Sequence, residues 1–474
     1  MAEALWTVEE LLKATGGKLH GEARMPLTAV SIDSRAVKPG DVFIAIRGER
    51  HDGHDFVASA LQAGAGLGVV SRVTPEMTAA GPVLEVADDP LNGLVNMGLA
   101  ARARCHGQIV AVTGSVGKTS TKEMLKVALE ASGATHASAA SFNNHWGVPL
   151  TLARMPRETA FGVFEIGMNH AGEITPLVGM VKPNVAIITT IAPSHLGNFS
   201  SLDGIADAKA EIFTGVVPGG HAVISRDTPY FERLAAAARA AGITSIVSFG
   251  KHPEADVRME QVALHAGCCC ITARMFGETV TYKLGIPGEH MAVNSLCVLA
   301  AAKLAGADLA RAALALAEAA PAKGRGVQQR LRIDGGELLL IDESYNANPA
   351  SVSAALALLG AAQPGWGGRR IAVLGDMLEL GEQGPQLHAG LLEPMDAAKV
   401  DVLYAAGPLM ANLWARVPSD RRGAYAATSE ALRDAVLAGL KPGDVVMIKG
   451  SLGSRMGPLV EAIRAAHPPL SKES

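Results

Sequence analysis

A glycine-rich stretch with one lysine and neighbouring hydroxyl residues is the first part of the sequence with recognisable chemistry. It reads QIVAVTGSVGKTSTKEML, from Gln108 to Leu125. The apolar half predicts a strand and the second half a helix, with a tight turn at Gly114 and Gly117 between them. Backbone N–H groups in such a turn, and the N-terminus of the helix that follows, attract phosphate. The stretch therefore predicts a nucleoside triphosphate site.

The loop departs from the usual pattern G-x-x-x-x-G-K-[ST], because Val112 stands where the first glycine is expected. In this interpretation Lys118 lies over the β- and γ-phosphates, and the Thr119 hydroxyl faces Mg²⁺. We expect nucleotide contacts along the whole loop, which comprises Thr113, Gly114, Ser115, Val116, Gly117, Lys118 and Thr119. The alternative is a turn that is merely glycine-rich.

Two further polar residues stand where predicted strands end. Glu165 closes the apolar run in FGVFEIG, and His195 follows the run in VAIITTIAPSH. Ligands of open parallel sheets bind outside the carboxyl ends of the strands, so we expect both side chains near the loop. A solvent-facing acid and a structural histidine are the alternatives. Lys209, in ADAKAEIF, has acidic neighbours, and its residues alone indicate an ion-paired lysine on a solvated helix face.

Strands alternate with helical patterns along most of the chain, which predicts an α/β fold of three domains. Residues 1–89 are expected to form a small α/β domain. Residues 90–325 are expected to form a P-loop domain with a parallel sheet, flanked by antiparallel strands after residue 257. Residues 326–474 are expected to form a doubly wound, Rossmann-like domain. The predicted strands include Ile109–Val112, Gly162–Ile166, Val185–Thr190, Ala222–Ser225, Leu338–Asp342, Arg370–Leu374, Val402–Ala405 and Asp444–Lys449.

Composition excludes several other classes of protein. The sequence has 474 residues, 49% apolar and 19% charged, with a formal net charge of -4. No long basic run is present, which argues against nucleic acid as a partner. The N-terminus does not resemble a signal peptide, and the Ala/Leu-rich segment 295–319 predicts helices and no membrane span, so we expect a cytoplasmic protein. The adjacent Cys268, Cys269 and Cys270 alternate faces in a strand and cannot converge on one metal.

An ordered set of motifs resembles the Mur ligase superfamily over essentially the whole chain. The motifs are TGSVGKTS, FNNHWGVPLTL, EIGMNHAGEI, SHLGNF, AKAEIF, GEHMAVN, DESYNANPAS, GDMLELG and KGSLGSRM. SYNANP and GDMLELG are similar to the branch that joins D-alanyl-D-alanine to UDP-N-acetylmuramoyl-tripeptide. The Asp-Asn-Pro-Arg signature of the neighbouring branch, which adds the third amino acid, is absent.

The resemblance implies roles for particular residues. Glu165 and His195 would contact Mg²⁺, and Lys209 would react with CO₂ to form a carbamate. The nucleotide would also contact Asn294, Arg325, Asp342 and Asn348. The donor and acceptor substrates would contact Ser31, Ser34, Arg35, Arg47, Asn143, Asn144, Tyr345, Lys449 and Ser451. The family often has Asn where this chain has Met291, so no side-chain role is carried over there.

The implied reaction is ATP-dependent ligation through an acyl phosphate, and its substrates are the UDP-linked tripeptide and D-alanyl-D-alanine. We expect a monomer, although nothing in the sequence fixes the oligomeric state. Two alternatives stay open: a ligase for another amino acid or a folate-type substrate, and an NTP-dependent switch that hydrolyses ATP without ligation. The third residue of the tripeptide, diaminopimelate or lysine, is also open.

Overall fold

The computed structural model describes residues 4–48, 50–139, 141–194, 196–199 and 201–470, which form three sheets. The short 3₁₀ helices in these ranges are Ser34–Ala36, Gly53–Phe56, Leu196–Asn198, Glu211–Gly215, Leu316–Glu318, Gly381–Gln383, Ser419–Arg421 and Leu452–Ser454. His195 lies outside the described residues.

The N-terminal sheet belongs to a small α/β domain. Its strands are β1 (Lys18–His20), β2 (Ala29–Ser31), β3 (Asp41–Ile44), β4 (Leu67–Val70) and β5 (Val83–Glu85). The strand order is β1-β5-β4-β3-β2, in which β1 pairs antiparallel with β5 and the other pairs are parallel. The accompanying helices are α1 (Val8–Thr15), α2 (Val57–Gln62), α3 (Pro75–Ala80) and α4 (Pro90–Arg104).

The central sheet combines a parallel part with an antiparallel extension. Its strands are β6 (Gln108–Thr113), β7 (Thr135–Ala137), β8 (Phe161–Glu165), β9 (Val185–Ile188), β10 (His221–Ser225), β11 (Ser245–Gly250), β12 (Val257–Leu264), β13 (Cys269–Met275) and β14 (Glu278–Leu284). The order is β14-β13-β12-β11-β10-β9-β6-β8-β7, and the pairs β12–β13 and β13–β14 are antiparallel. The helices are α5 (Lys118–Glu130), α6 (Gly147–Ala153), α7 (Ile174–Val181), α8 (Leu202–Ala210), α9 (Phe231–Ala240), α10 (Glu289–Leu304) and α11 (Leu309–Ala315).

The C-terminal sheet is mostly parallel. Its strands are β15 (Val327–Ile333), β16 (Gly336–Glu343), β17 (Arg370–Gly375), β18 (Val402–Ala406), β19 (Arg422–Ala426) and β20 (Val445–Lys449), in the order β15-β16-β20-β17-β18-β19. The pair β15–β16 is antiparallel. The helices are α12 (Pro349–Ala361), α13 (Gly384–Ala389), α14 (Leu392–Ala397), α15 (Ala411–Trp414), α16 (Ser429–Gly439) and α17 (Gly457–Ala466).

Both faces of the central sheet are covered, which explains why its parallel strands are apolar at nearly every position. On one face Val112 of β6 is buried in a cluster with Leu125 of α5. On the other face Ile188 of β9 is buried in a cluster with Leu234 of α9. Polar side chains are therefore displaced to the strand ends, where the predicted site lies.

The N-terminal and central domains are joined by tightly packed helices. Met97 of α4 and Leu150 of α6 are buried in one cluster with the apolar face of the N-terminal sheet. Gly98 allows the close approach, because a Cβ atom there would lie 3.1 Å from a backbone oxygen of α6. The indole N–H of Trp6 donates a hydrogen bond to the carbonyl of Ala153 at 2.8 Å. These contacts fix the two domains against each other.

The predicted fold class is confirmed: a small α/β domain, a P-loop domain with a parallel sheet and a doubly wound C-terminal domain. Each predicted strand coincides with an observed strand, with ends that differ by two residues or fewer. The Ala/Leu-rich segment forms α10 and α11, and among the described helices none has the length and apolar character to cross a membrane. The predicted boundaries at residues 89 and 325 stay predictions.

The cysteine prediction is confirmed for two of the three residues. Cys269 is buried and Cys270 exposed on β13, whereas Cys268 precedes the strand. Within the described ranges no cluster of three or more His, Cys, Asp or Glu side chains is arranged to hold a metal.

Asp444 provides a test of the C-terminal fold. Its buried carboxylate accepts hydrogen bonds from the Arg369 guanidinium at 2.6 Å and from the Lys441 N–H at 2.8 Å. Asp444→Asn should lower the free energy of unfolding by about 3 kcal/mol, because the partners of a buried carboxylate lose its charge. Urea unfolding measures this. Asp434→Asn, at an exposed pair with Arg433, is the control and should change stability by less than about 0.5 kcal/mol. Equal effects of the two substitutions would contradict the assignment.

Candidate active site

The loop between β6 and α5 has the backbone of a phosphate site. Gly114 and Gly117 adopt φ angles of +148° and +87°, and α5 begins at Lys118. The hydroxyl of Thr189, at the end of β9, donates a hydrogen bond to the carbonyl of Val116 at 2.6 Å. The N–H of Ser115 donates to the carbonyl of Thr190 at 2.9 Å. The neighbouring strand therefore holds the loop open for an anion at the helix N-terminus.

Lys118 lies at the base of this loop. Its ammonium group donates a hydrogen bond to the carbonyl of Gly114 at 2.6 Å. Burial lowers the pKa of Lys118, Glu165 opposes this effect, and the nearby Arg325 lowers the pKa further. A phosphate group in the loop would stabilise the charged amine.

The Glu165 carboxylate is held by two neutral donors. The hydroxyl of Thr119 donates to Oε2 at 2.8 Å, and the amide nitrogen of Asn143 donates to Oε1 at 2.7 Å. Glu165 is 1% exposed, so it is almost completely removed from bulk water. Glu165 thus lies beside the phosphate loop, as its place at a strand end predicted, and the Asn143 segment meets them there.

These donors suit a magnesium ion. Mg²⁺ prefers hard oxygen ligands, usually one or two carboxylates together with phosphate oxygens. The Glu165 carboxylate and the Thr119 hydroxyl provide oxygen atoms beside the loop, and no described side chain forms an ion pair with Glu165. The chemistry of the donor set therefore fits the predicted ion.

A cavity of about 370 Å³ separates this wall from the C-terminal domain. Its central-domain lining includes Ser115, Val116, Gly117, Lys118, Thr119, Asn143 and Glu165. Its opposite lining includes Arg325, Tyr345, Asn346, Asn348, Glu343 and Lys449. The guanidinium of Arg325 stacks on the ring of Tyr345 at 4.2 Å from the ring centroid. Two domains therefore supply cationic groups to one cavity.

Lys449 is the buried cation of the C-terminal wall. Its ammonium group donates to Glu343 Oε2 at 3.2 Å and to the carbonyl of Asn346 at 2.9 Å. Burial lowers the pKa of Lys449, whereas the carboxylate of Glu343 raises it. Glu343 had no predicted role. Its position at the end of β16, next to Asp342, is the sequence feature that could have indicated a role in the site.

Lys209 differs from the ion-paired surface lysine that its residues alone indicated. It is 2% exposed on α8, and no described residue hydrogen-bonds to its amine. Burial lowers the pKa of Lys209 well below its ordinary value, and the positive charge of Lys118 lowers it further. The acidic neighbours Asp203 and Asp207 instead pair with Arg233. The solvated-face interpretation is therefore wrong.

Other predicted nucleotide residues lie around the cavity. Gly114 and Asn294 are outside its lining, although a Cβ atom on Gly117 would lie 2.7 Å from the Asn294 amide. Thr113 is fully buried at the end of β6. Asp342 lines an adjoining cavity of about 910 Å³ together with Arg325 and pairs with Arg464 at 3.3 Å.

The remaining predicted substrate residues fall into two groups. The Ser451 hydroxyl donates a hydrogen bond to the carbonyl of Ala347 at 3.2 Å and so links two loops of the C-terminal domain. The Asn144 side chain, three residues before α6, accepts a hydrogen bond from the N–H of Gly147 at 3.0 Å. The N-terminal group, Ser31, Ser34, Arg35 and Arg47, is separate from the described lining of the cavity. There, the hydrogen bond from Arg35 lowers the pKa of Asp33 to about 2.

Sequence reasoning also missed residues that complete the cavity. They are Ser141, Asn169, His290, Gly324, Glu343 and Ser351. Asn169 lies within a quoted motif, but a single sequence does not show which residues of a motif face a ligand. Burial lowers the pKa of His290, which favours the neutral ring.

Gly114 offers a direct test of the phosphate loop. A Cβ atom there would lie 1.9 Å from the Thr189 hydroxyl, which is held by its hydrogen bond to Val116. Gly114→Ala should displace the loop and weaken ADP binding about 100-fold, equivalent to roughly 2–3 kcal/mol of lost charge-assisted hydrogen bonding. Isothermal titration calorimetry measures this.

Gly219→Ala is the matched control, because Gly219 also has a positive φ angle, +78°, with nothing within 4 Å of a Cβ atom. It should bind ADP normally. Normal ADP binding by Gly114→Ala would refute the loop assignment.

Comparisons with known proteins identify the family of the chain. Residues 26–95 match the Mur ligase family catalytic domain, residues 112–302 the Mur ligase middle domain, and residues 329–452 the Mur ligase glutamate ligase domain. The UDP-N-acetylmuramoyl-tripeptide–D-alanyl-D-alanine ligase of Rickettsia prowazekii is 32% identical over 96% of this chain and 99% of the relative. The Escherichia coli protein of the same name is 33% identical over 85% of this chain and 86% of the relative.

Solved structures give the same result. MurF from Acinetobacter baumannii is 29% identical and superposes with a TM-score of 0.84, covering 98% of this chain and 100% of that chain. MurF ligase from Thermotoga maritima, in complex with ADP, is 25% identical with a TM-score of 0.75, covering 93% and 98%. Because identity of this level extends over nearly the full length and the folds coincide, the chain belongs to the Mur ligase family.

Proposed function

We propose that this chain is an ATP-dependent ligase that joins D-alanyl-D-alanine to UDP-N-acetylmuramoyl-tripeptide, giving the pentapeptide precursor of peptidoglycan. The observation that carries the proposal is the cavity in which Lys118, Thr119 and Glu165 face Arg325 and Lys449. Relatives of this named activity match the chain almost from end to end.

The chemistry requires activation of a carboxylate. Hydroxide is a poor leaving group, so the tripeptide carboxylate attacks the γ-phosphorus of ATP, forming an acyl phosphate and releasing ADP. The amine of D-alanyl-D-alanine then attacks the acyl carbon, a C–N bond forms, and phosphate and a proton leave. Lys118 stabilises the transferring phosphoryl group, and loop N–H groups orient it.

The predicted ion and the second wall of the cavity would both support this reaction. Mg²⁺ neutralises phosphate charge when bound, and we assign its contacts to Thr119, Glu165 and His195. On the opposite wall Lys449 and Arg325 provide positive charge for carboxylate and phosphate groups. Arg35 and Arg47 would hold the uridine nucleotide at the N-terminal domain. Since one chain supplies both walls, we propose a cytoplasmic monomer.

We propose further that Lys209 carries a carbamate. Its neutral amine reacts with CO₂ to give an N-carboxylate and a proton, so that an uncharged buried group becomes an anion. Supporting observations are its 2% exposure, the lack of a hydrogen-bond partner among the described residues, and the lowered pKa, which favours the neutral, nucleophilic amine. The negative charge would then attract Lys118 rather than repel it.

Phosphate release tests the ligase assignment. With ATP, UDP-N-acetylmuramoyl-tripeptide and D-alanyl-D-alanine together, phosphate should appear in equal amount to the new peptide bond, and ATP alone should release little. Lys118→Ala should reduce the rate at least 100-fold, because phosphoryl-transfer sites depend on such charge. Equally fast release with ATP alone would support an ATP-hydrolysing switch instead. A substrate panel separates diaminopimelate from lysine at the third position.

Carbon-13 NMR tests the carbamate. Protein equilibrated with ¹³C-bicarbonate should show one carbamate resonance that disappears in Lys209→Met, together with most of the ligase activity. Lys303→Met is the control, since Lys303 is exposed on α10. Acidification should remove the carbamate, because CO₂ reacts with the neutral amine. A wild-type spectrum without the resonance would exclude the modification.

A further inference from the structure

The central and C-terminal domains touch at a second place, distant along the chain from the linker at 320–326. The N–H of Gly197 donates a hydrogen bond to the carbonyl of Glu379 at 3.0 Å. The hydrogen bond joins the 3₁₀ helix Leu196–Asn198 to the turn Glu379–Gly381, which leads into the 3₁₀ helix Gly381–Gln383. We call the meeting of these two segments the closure contact.

The C-terminal half of the closure contact is fixed to the cavity wall. The N–H of Leu378 donates to the Ser451 hydroxyl oxygen at 2.9 Å. That hydroxyl donates to the carbonyl of Ala347 at 3.2 Å, and Ala347 lines the central cavity. A shift of the turn is therefore transmitted directly to the wall that holds Lys449.

The central-domain segment of the closure contact is also hydrogen-bonded to a residue of the cavity wall. The amide nitrogen of Asn198 donates to the carbonyl of Asn169 at 3.2 Å. Asn169 lines the cavity and lies four residues beyond Glu165. The closure contact is thus hydrogen-bonded on both of its sides to segments that line the cavity, which the linker residues Gly324 and Arg325 also line.

The turn Glu379–Gly381 has two residues with left-handed backbone φ angles. Glu379 adopts a left-handed φ of +64°, although it is not glycine, and Gly381 has φ +57°. A Cβ atom on Gly381 would lie 3.2 Å from the Cα atom of Gly197. A non-glycine residue persists in this conformation where surrounding contacts impose it. The geometry brings the backbones of the two domains into direct contact.

We propose that the closure contact is a positioning element that keeps water from the acyl phosphate until the amine attacks, an inference that rests on the proposed function. Two reactions compete for the same intermediate. The amine forms a C–N bond and releases phosphate, whereas water forms a C–O bond, regenerates the carboxylate and releases phosphate. Opening the closure contact at Gly197 and Glu379 would favour the second reaction.

Gly381→Ala tests the proposal. The added methyl group presses on Gly197 and opposes closure. The ratio of phosphate released to peptide bond formed should rise at least threefold, and kcat for ligation should fall while KM for ATP is unchanged. Hydroxylamine should trap less acyl phosphate. Gly367→Ala is the matched control, because Gly367 has φ +69° and nothing within 4 Å of a Cβ atom. For Gly367→Ala the ratio of phosphate released to peptide bond formed should stay near one.

A second variant approaches the same contact from the central domain. A Cβ atom on Gly197 would lie 3.6 Å from the Glu379 carbonyl oxygen, so the two further methyl groups of Gly197→Val should push the segments apart. Gly267→Val is the control, because a Cβ atom on Gly267 would have nothing within 4 Å. Thermal unfolding of all variants separates misfolding from uncoupling. A slower ligation with an unchanged ratio in both variants would overturn the proposal. A wild-type protein that forms no peptide bond would instead overturn the proposed function.

Discussion

The burial of three lysine amines is the constraint on which the rest of the site depends: Lys118 and Lys449 line the cavity, and Lys209 lies close enough to Lys118 for that charge to lower its pKa. Lys209 and Lys449 are 2% and 3% exposed, and the amine of Lys118 is enclosed within the phosphate loop. Burial lowers the pKa of all three amines. A buried cation is costly unless it is paired. The fold supplies a loop carbonyl for Lys118 and a carboxylate for Lys449, whereas Lys209 has no hydrogen-bond partner among the described residues.

This arrangement favours anionic ligands. The described acids at the cavity are committed to neighbours: Glu165 to Thr119 and Asn143, and Glu343 to Lys449. Phosphate groups, a substrate carboxylate and a carbamate would complete the charge balance that the protein alone leaves incomplete. The site is therefore stable in its reactive arrangement when its ligands are present, and the same charges lower the energy of the phosphoryl-transfer transition state.

The sequence predicted the fold and one wall of the site well. Strand–loop–helix periodicity located the phosphate loop, and the rule that ligands bind at strand carboxyl ends placed Glu165 beside it. Lys209 was misjudged from its residues alone, because acidic neighbours along a helix do not reveal which face is buried. Glu343 was missed because its role depends on how two domains face each other. That relation arises from tertiary packing and leaves no periodic signal in one sequence.

The packing of α4 has a consequence for substrate length. Gly98 and Met97 pack this helix closely against α6, so the N-terminal domain and the domain of the phosphate loop share one packed frame. A donor anchored at the N-terminal sheet must then reach the γ-phosphate across a constant span. Each residue of extended peptide covers roughly 3.3–3.6 Å. Under the proposed function the frame acts as a molecular ruler, which places the terminal carboxylate of a donor of one length, and no other, at the reactive phosphorus.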